Sequence, residues 1–337
     1  MMRKRILYIG NNLVKKTNYA TSMDVLSHLL GEEGFTIYKS SSKTNKFFRL
    51  LEMCFAIIRY RKKVDYILID TYSTSNFYYA LFTSQLCRFF KLKYLPILRG
   101  GNLPYRLKRN PQLSSLVFNN SYQNIAPSGY LKHEFEQKGF KTVLIPNVIP
   151  IHQYPYKERK QIAPKLLYVR AFAEIYNPTM AIEVLKELKN TYPKAVLCMI
   201  GPDKDGTLED VKQLINKYHL NESVEITGVL SKNEWHKKSK EFDIFINTTN
   251  IDNTPVSVIE AMALGLPVVS TNVGGMPYLI QHNVDGVLVE KNNPSVMTKE
   301  ICKIVSMKNS SLAENARKKV ENFDWNVVKN KWLKILH

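Results

Sequence analysis

The chain has 337 residues, 45% hydrophobic and 23% charged, with a mean hydropathy of -0.24. At roughly 100–200 residues per domain this is the length and composition of two ordinary globular domains, which excludes a disordered chain or a bundle of membrane spans. The net charge of +19 is unevenly placed: residues 1–150 hold 23 Lys or Arg against 8 Asp or Glu, and residues 151–337 hold 25 against 21. The basic half is therefore expected to face something anionic: a membrane surface, a phosphorylated substrate or nucleic acid.

The first strand is expected at residues 6–9, and Gly10-Asn11-Asn12 follows it at once, so the basic residues 1–5 do not open a signal peptide and a cytoplasmic protein is expected. Gly10 and Asn11 suit either a turn or a close approach to a phosphate. A helix is expected over residues 22–30, and further strands at 36–38, 66–69, 94–98, 124–126 and 143–145. Between the second and third strands, Lys43, Lys46, Arg49, Arg59, Arg61, Lys62 and Lys63 surround Phe47, Phe48, Leu50, Leu51, Phe55, Ile57 and Ile58. This composition suits either a helix lying at a lipid interface or a core helix with solvated basic ends, and it is too short and too charged to span a bilayer. After the strand ending at Leu98, Arg99-Gly-Gly-Asn102 reads equally as a structural turn and as a functional loop.

Pro146, Pro150, Pro155 and Pro164 punctuate a polar stretch without helical periodicity, which places the join between domains 1–150 and 151–337, the last helix being free to pack back on the first domain. In the second half strands are expected at 166–169, 196–200, 224–227, 244–247, 268–270 and 287–289. Short apolar strands interleaved with helices are the pattern of a parallel sheet covered on both faces, so both halves are expected to be doubly wound α/β domains with ligands at the carboxyl ends of their strands.

The richest segment runs from Ile251 to Leu279. A loop of Asp252, Asn253, Thr254 and Pro255 leads into a helix over residues 256–264, closed by Gly265 with Pro267 just beyond. The first-turn N–H groups around Val256 and Ser257 lack partners inside the helix and carry the positive end of its dipole, which suits a diphosphate. Glu260 stands between Val258, Ile259, Ala261 and Met262. A carboxylate there either accepts hydrogen bonds from a ligand's hydroxyls or is a solvated helix residue, and Asp252 taken alone is a loop or capping residue.

Residues 251–279 resemble the retaining glycosyltransferases of family 4. Asp252 and Glu260 stand at that family's acidic spacing, with Asp in place of the more usual Glu, and residues 260–278 follow its pattern almost throughout. Ile145-Pro-Asn-Val148, Leu167-Tyr-Val-Arg170, Ile200-Gly-Pro-Asp203, Ile226-Thr-Gly-Val229 and Val284-Asp-Gly-Val287 are similar to further landmarks, in the family's order. The last of these also reads as a tight turn in which Asp-Gly takes the positive φ.

The resemblance implies a GT-B fold of two facing Rossmann-like domains with a central cleft. It implies a retaining transfer of a hexose-type sugar from a nucleotide-diphosphate sugar to a glycan or polyprenyl-linked acceptor, in cell-surface polysaccharide assembly. Glu260 would hold the donor's ribose and Asp252 the sugar's hydroxyls. Asn253, Thr254, Pro255, Val256 and Ser257 would line sugar and diphosphate, with Gly228, Val229, Gly10 and Asn11 completing the donor site. Arg170 would neutralise the departing diphosphate, as a permanently cationic fork can.

Two departures from the family stand out. No lysine follows Arg170 in Glu174-Ile-Tyr-Asn-Pro178, leaving Tyr176, Asn177 or a distant lysine to take its work. Arg99 stands where many relatives carry a histidine, and is counted among the catalytic candidates.

Cysteines 54, 87, 198 and 302 and the seven histidines show no metal spacing, and Asp203-Lys-Asp205 reads as a turn, so neither metal nor cofactor is expected. No nucleic-acid motif accompanies the basicity. The alternatives carried are a hydrolase, epimerase or phosphorylase of the same fold, or a basic nucleic-acid-binding protein. The expected location is the cytoplasm, with peripheral contact to the inner face of the membrane.

Overall fold

A computed structural model describes residues 4–10, 21–41, 43–307 and 311–337, so Asn11 and Asn12 lie outside the described residues. The chain divides into two units, one of residues 1–148 and 325–337 and one of residues 149–324. The boundary thus falls at Val148, and residues 325–337 belong to the first unit rather than the second.

Unit 1 holds a six-stranded parallel sheet of β1 (Arg5–Ile9), β2 (Thr36–Ser40), β3 (Tyr66–Thr71), β4 (Lys93–Leu98), β5 (Asn124–Ala126) and β6 (Thr142–Leu144), in the order β2-β1-β3-β4-β5-β6. Side chains alternate across a strand, so β1 feeds two cores at once. Leu7 and Ile9 meet Met53, Ile57, Phe77, Ala80 and Val117 from helices on one face. Ile6 and Tyr8 meet Met23, Leu26 and Leu30, together with Trp325, Val328 and Trp332 of the terminal helix, on the other. That burial is why residues 325–337 join unit 1.

Unit 2 repeats the plan with β7 (Lys165–Val169), β8 (Val196–Ile200), β9 (Val224–Gly228), β10 (Ile244–Asn247), β11 (Val268–Thr271) and β12 (Val287–Val289), in the order β12-β11-β10-β7-β8-β9. The helices Pro178–Thr191 and Pro294–Ser306 cover one face. The helices Val256–Ala263 and Leu312–Glu321 cover the other. The chain winds outward in both directions from the β7/β10 pair, which makes the carboxyl ends of these two strands the switch point of the sheet. In unit 1 the corresponding point is β1/β3.

All twelve expected strands are present, with shifts of at most two residues at an end. The turn after Ile280 departs from expectation in detail. Its positive φ of 62° is carried by Asn283, while Gly286 is needed because a Cβ there would stand 2.9 Å from Ile280 Cγ2. Asp285 is buried and accepts from the N–H of Gln281 at 2.7 Å. An Asx-type cap, not an Asp-Gly hairpin, turns the chain.

Candidate functional site

The switch point of unit 2 brings together residues 82 apart in sequence. Arg170 follows β7 directly and Asp252 lies in the loop after β10, and the two form an ion pair through Nη2 and Oδ2 with side chains 20% and 12% exposed. The face of Tyr176 lies 4.2 Å from the Arg170 guanidinium, a cation–π contact that fixes the fork's plane. Burial pushes the Asp252 carboxyl above the ordinary carboxylate range, and the Arg170 guanidinium and the Asn253 N–H pull it back. The loop keeps its shape because Asn253 N donates to Asp252 Oδ1 at 2.8 Å and Gly275 N donates to Asp252 O at 3.0 Å. Gly275 has to be glycine: a Cβ there would lie 1.6 Å from the Asn253 carbonyl oxygen. The Gly-Gly of residues 274–275 is therefore a brace under the Asp252–Asn253 backbone.

The helix Val256–Ala263 begins at Pro255 with no side-chain cap. Its first N–H groups, at Val256 and Ser257, thus face outward with the positive end of the dipole. Three carbonyls at its other end are satisfied by arginines from outside. Arg159 Nη1 donates to Leu264 O at 3.2 Å and to Gly265 O at 2.8 Å, and Arg317 Nη1 donates to Ala263 O at 2.6 Å. Burial lowers the Arg159 guanidinium to about 10, with Asp243 opposing.

Glu260, one turn into this helix, is buried rather than solvated. Its Oε1 accepts from Tyr154 OH at 2.7 Å and pairs with Lys232 Nζ at 2.8 Å, the Lys232 side chain being 63% exposed and that of Glu260 5%. Burial, and then the Glu260 carboxylate, push the Tyr154 phenol well above its ordinary range, so it remains a donor. His236 stands beside Tyr154 with ring centroids 4.7 Å apart, and burial lowers its imidazole pKa against the opposing pull of Glu260.

Among the described residues seven buried side-chain polar atoms lack a hydrogen-bond partner, and four of them, Arg170 Nε, Asn250 Oδ1, Thr254 Oγ1 and His236 Nε2, belong to this neighbourhood. Buried polar groups are nearly always satisfied, so these four keep hydrogen-bonding capacity for solvent or a ligand.

Of the residues singled out from sequence, Arg170, Asp252, Asn253, Thr254, Pro255, Val256, Ser257 and Glu260 are gathered at this end of unit 2. Gly228 and Val229 close β9 nearby in the sheet order, Val229 exposed and Gly228 O accepting from Gly201 N at 2.9 Å. Asp203 and Asp205 turn onto backbone, accepting from the N–H of Gly206 at 3.0 Å and of Glu174 at 2.9 Å. Among the described residues no group of three or more His, Cys, Asp or Glu is placed to hold a metal ion.

Tyr154, Lys232 and His236 were not singled out. Tyr154 lies in the irregular segment after the domain join, where no pattern marks it. Lys232 had a legible sign: Ser231 and Glu234 form a capping box that fixes the start of the helix Lys232–Lys238.

Arg99 and Gly10 belong to unit 1. Arg99 Nε pairs with Asp70 Oδ1 at 3.0 Å, Nη1 donates to Asn147 Oδ1 at 2.7 Å and Nη2 to Tyr8 OH at 3.1 Å, while Tyr8 OH donates to Asp70 Oδ1 at 3.0 Å. The Arg99 and Asp70 side chains are only 11% and 3% exposed. Burial opposes the Arg99 charge, but Tyr8 and Asp70 hold its pKa above the ordinary value. Gly10 abuts this cluster, since a Cβ there would stand 2.5 Å from Asp70 Oδ2.

Residues 155–321 match the family described as Glycosyl transferases group 1. Over 136 residues the chain is 29% identical to the putative colanic acid biosynthesis glycosyltransferase of Escherichia coli K12, covering 37% of this chain and 34% of that protein. It is 22% identical over 203 residues to the UDP-Gal:alpha-D-GlcNAc-diphosphoundecaprenol alpha-1,3-galactosyltransferase of Escherichia coli, covering 56% of this chain and 51% of that one. The matches thus span about a third to a half of these relatives' length. The fold is similar to that of Anabaena HepE in complex with UDP and glucose, with a TM-score of 0.76 at 15% identity over 99% of both chains.

Proposed function

We propose, from the match of residues 155–321 to the glycosyl transferases group 1 family, that the chain is a metal-independent retaining glycosyltransferase of family 4, moving a hexose-type sugar from a nucleotide-diphosphate sugar to a glycan or polyprenyl-linked acceptor. The observation that carries this reading is the set of unsatisfied groups at Arg170 and Thr254, beside an uncapped helix start. Together they offer a diphosphate a fixed cation, a hydroxyl and free N–H groups.

In this reading Glu260 takes the donor's ribose diol, a fit favoured by its burial and by the exposed position of Lys232, which can yield to a ligand. Asp252 orients the transferred sugar. Arg170, held flat by Tyr176, stabilises the charge that develops as the bond between the anomeric carbon and the diphosphate oxygen breaks. The acceptor oxygen bonds to that carbon on the same face, and its proton passes to the departing phosphate oxygen. Tyr176 and Lys232 replace between them what the family's usual lysine does: the first positions Arg170, and the second brings a mobile positive charge to the donor.

The names of the relatives support a place in cell-surface polysaccharide assembly, with an undecaprenyl-diphosphate-linked sugar as one class of acceptor. The basic charge of unit 1 supports a cytoplasmic enzyme working against the inner face of an anionic membrane. Thermal-shift measurements against UDP-, GDP-, ADP- and TDP-sugars test the donor assignment. One nucleotide class is expected to raise the melting temperature, because a ligand bound only by the folded state must stabilise it. A flat response across the panel would remove the donor assignment.

A further inference from the structure

A surface helix normally shows one apolar stripe to its core and polar residues to solvent. The helix Lys46–Tyr60 is apolar on both sides. It buries Met53, Ala56 and Ile57 against the unit 1 sheet. Outward it shows Phe48, Leu51, Phe55 and Ile58, at helical spacing, with Phe47 beside them; Phe55 is 63% exposed. The helix Phe77–Phe89 packs against it on the same face of the sheet. It presents a second outward row of Tyr78, Phe82 and Phe89, the last 78% exposed. Two neighbouring helices thus carry their large apolar side chains away from the protein on one side.

The charge around this face has one sign. Residues 43–123 contain 14 Lys or Arg and only three acidic residues, Glu52, Asp65 and Asp70. All three acids are engaged within the fold: Glu52 accepts from the N–H groups of Ser41 at 3.0 Å and Lys43 at 3.1 Å, Asp65 from Arg5 N at 2.8 Å, and Asp70 pairs with Arg99. Lys43 and Lys46 stand at one end of the first helix, and Arg59, Lys62 and Lys63 at the other, exposed. No described helix is long and apolar enough to cross a membrane.

We propose that this two-helix face of unit 1 docks on an anionic phospholipid surface, with Phe47, Phe48, Leu51 and Phe55 entering the headgroup–acyl boundary and the flanking lysines and arginines lying among the phosphates. Aromatic rings suit that boundary, and each basic side chain near an anionic leaflet adds to the attraction. A uniform positive rim around an apolar face complements a leaflet that is anionic at its headgroups and apolar beneath them. The inference rests on the membrane reading proposed above and gives it a surface; it stands on unit 1 alone, so its failure would leave the donor result untouched.

The test uses the full chain carrying Phe55→Trp. Trp235, Trp325 and Trp332 are buried, so a change in emission on adding vesicles reports on position 55. With phosphatidylglycerol-containing vesicles the emission is expected to shift to the blue and to be quenched by lipids brominated on the acyl chain. Phosphatidylcholine vesicles should leave it unchanged. Adding Phe48→Ser, or Lys62→Glu with Lys63→Glu, should weaken vesicle binding about tenfold or more without moving the melting temperature. The proposal is overturned if the indole is not quenched on anionic vesicles, or if both lipids quench it equally. It is also overturned if the wild type is a dimer that Phe48→Ser converts to a monomer with no effect on lipid binding.

Discussion

Each unit ends a strand on an arginine paired with an aspartate, and the two pairs differ in what they leave open. Arg99 and Asp70 sit in a closed network: four hydrogen bonds among Tyr8, Asp70, Arg99 and Asn147 account for the fork, and the cluster is almost wholly shielded. Arg170 and Asp252 are more open, with the arginine's Nε unsatisfied, a tyrosine ring in place of polar partners and an uncapped helix start two residues past the aspartate's neighbours. A satisfied buried ion pair holds elements in place, whereas an unsatisfied one keeps part of its charge for something else. The comparison supports the proposal that Arg170 serves ligand chemistry, and sets against it a reading of Arg99 as a brace of unit 1.

The largest effect expected is on stability, at Arg99. Arg99→Met leaves Asp70 buried without its cation, and urea unfolding should show a loss of about 3–5 kcal/mol. A loss under about 1 kcal/mol would break the contrast, because Arg99 would then be free to act on a ligand. Arg170→Ala is expected to lower turnover by roughly 10²–10³-fold while the circular dichroism spectrum stays native, as when one fixed donor is withdrawn from a developing oxyanion. Steady-state kinetics with a responsive donor read this, and unchanged kcat would return Arg170 to the surface.

Gly275→Ala sharpens the same picture from below the loop. The added methyl meets the Asn253 carbonyl, so the Asp252 loop must shift, and unfolding should lose about 1–3 kcal/mol. Donor affinity, followed by titration calorimetry, should fall alongside it. Native affinity in this variant would mean that the loop does not touch the donor. Lys232→Ala should matter least for stability, under about 1 kcal/mol, because the lysine is mostly solvated and its pair with Glu260 is screened on that side. A loss larger than Arg99→Met gives would show that Glu260 is a structural anion and Lys232 its fixed partner.

These contrasts also explain what could be read from the chain itself. The strands were legible because each is a short apolar run in a sheet covered on both faces, and β1 shows why, feeding two cores with alternate side chains. The loop proposed for the donor was legible because its parts are contiguous: Asp252, the helix start and Glu260 lie within nine residues, and the supporting Gly274-Gly275 follows soon after.

What stayed hidden depends on long-range closure. Asp70 is 29 residues from Arg99 and Asn147 is 48 residues away on the other side, so the network that occupies Arg99 could not be seen from Arg99-Gly-Gly-Asn102. Tyr154 reaches Glu260 across 106 positions from an irregular segment without periodicity. By sequence the terminal helix is free to pack back on the first domain, and the burial of Trp325, Val328 and Trp332 in the unit 1 core is what decides it.

Isothermal titration of the wild type and Glu260→Ala with UDP-, GDP-, ADP- and TDP-hexoses tests most directly whether unit 2 is a donor site. One nucleotide class should bind the wild type at one per chain and bind the folded variant at least about tenfold more weakly, the loss of a charge-assisted hydrogen-bond acceptor for the ribose being worth ~1.5–3 kcal/mol. Equal affinity in the two proteins, or no binding of any of the four to the wild type, would contradict it.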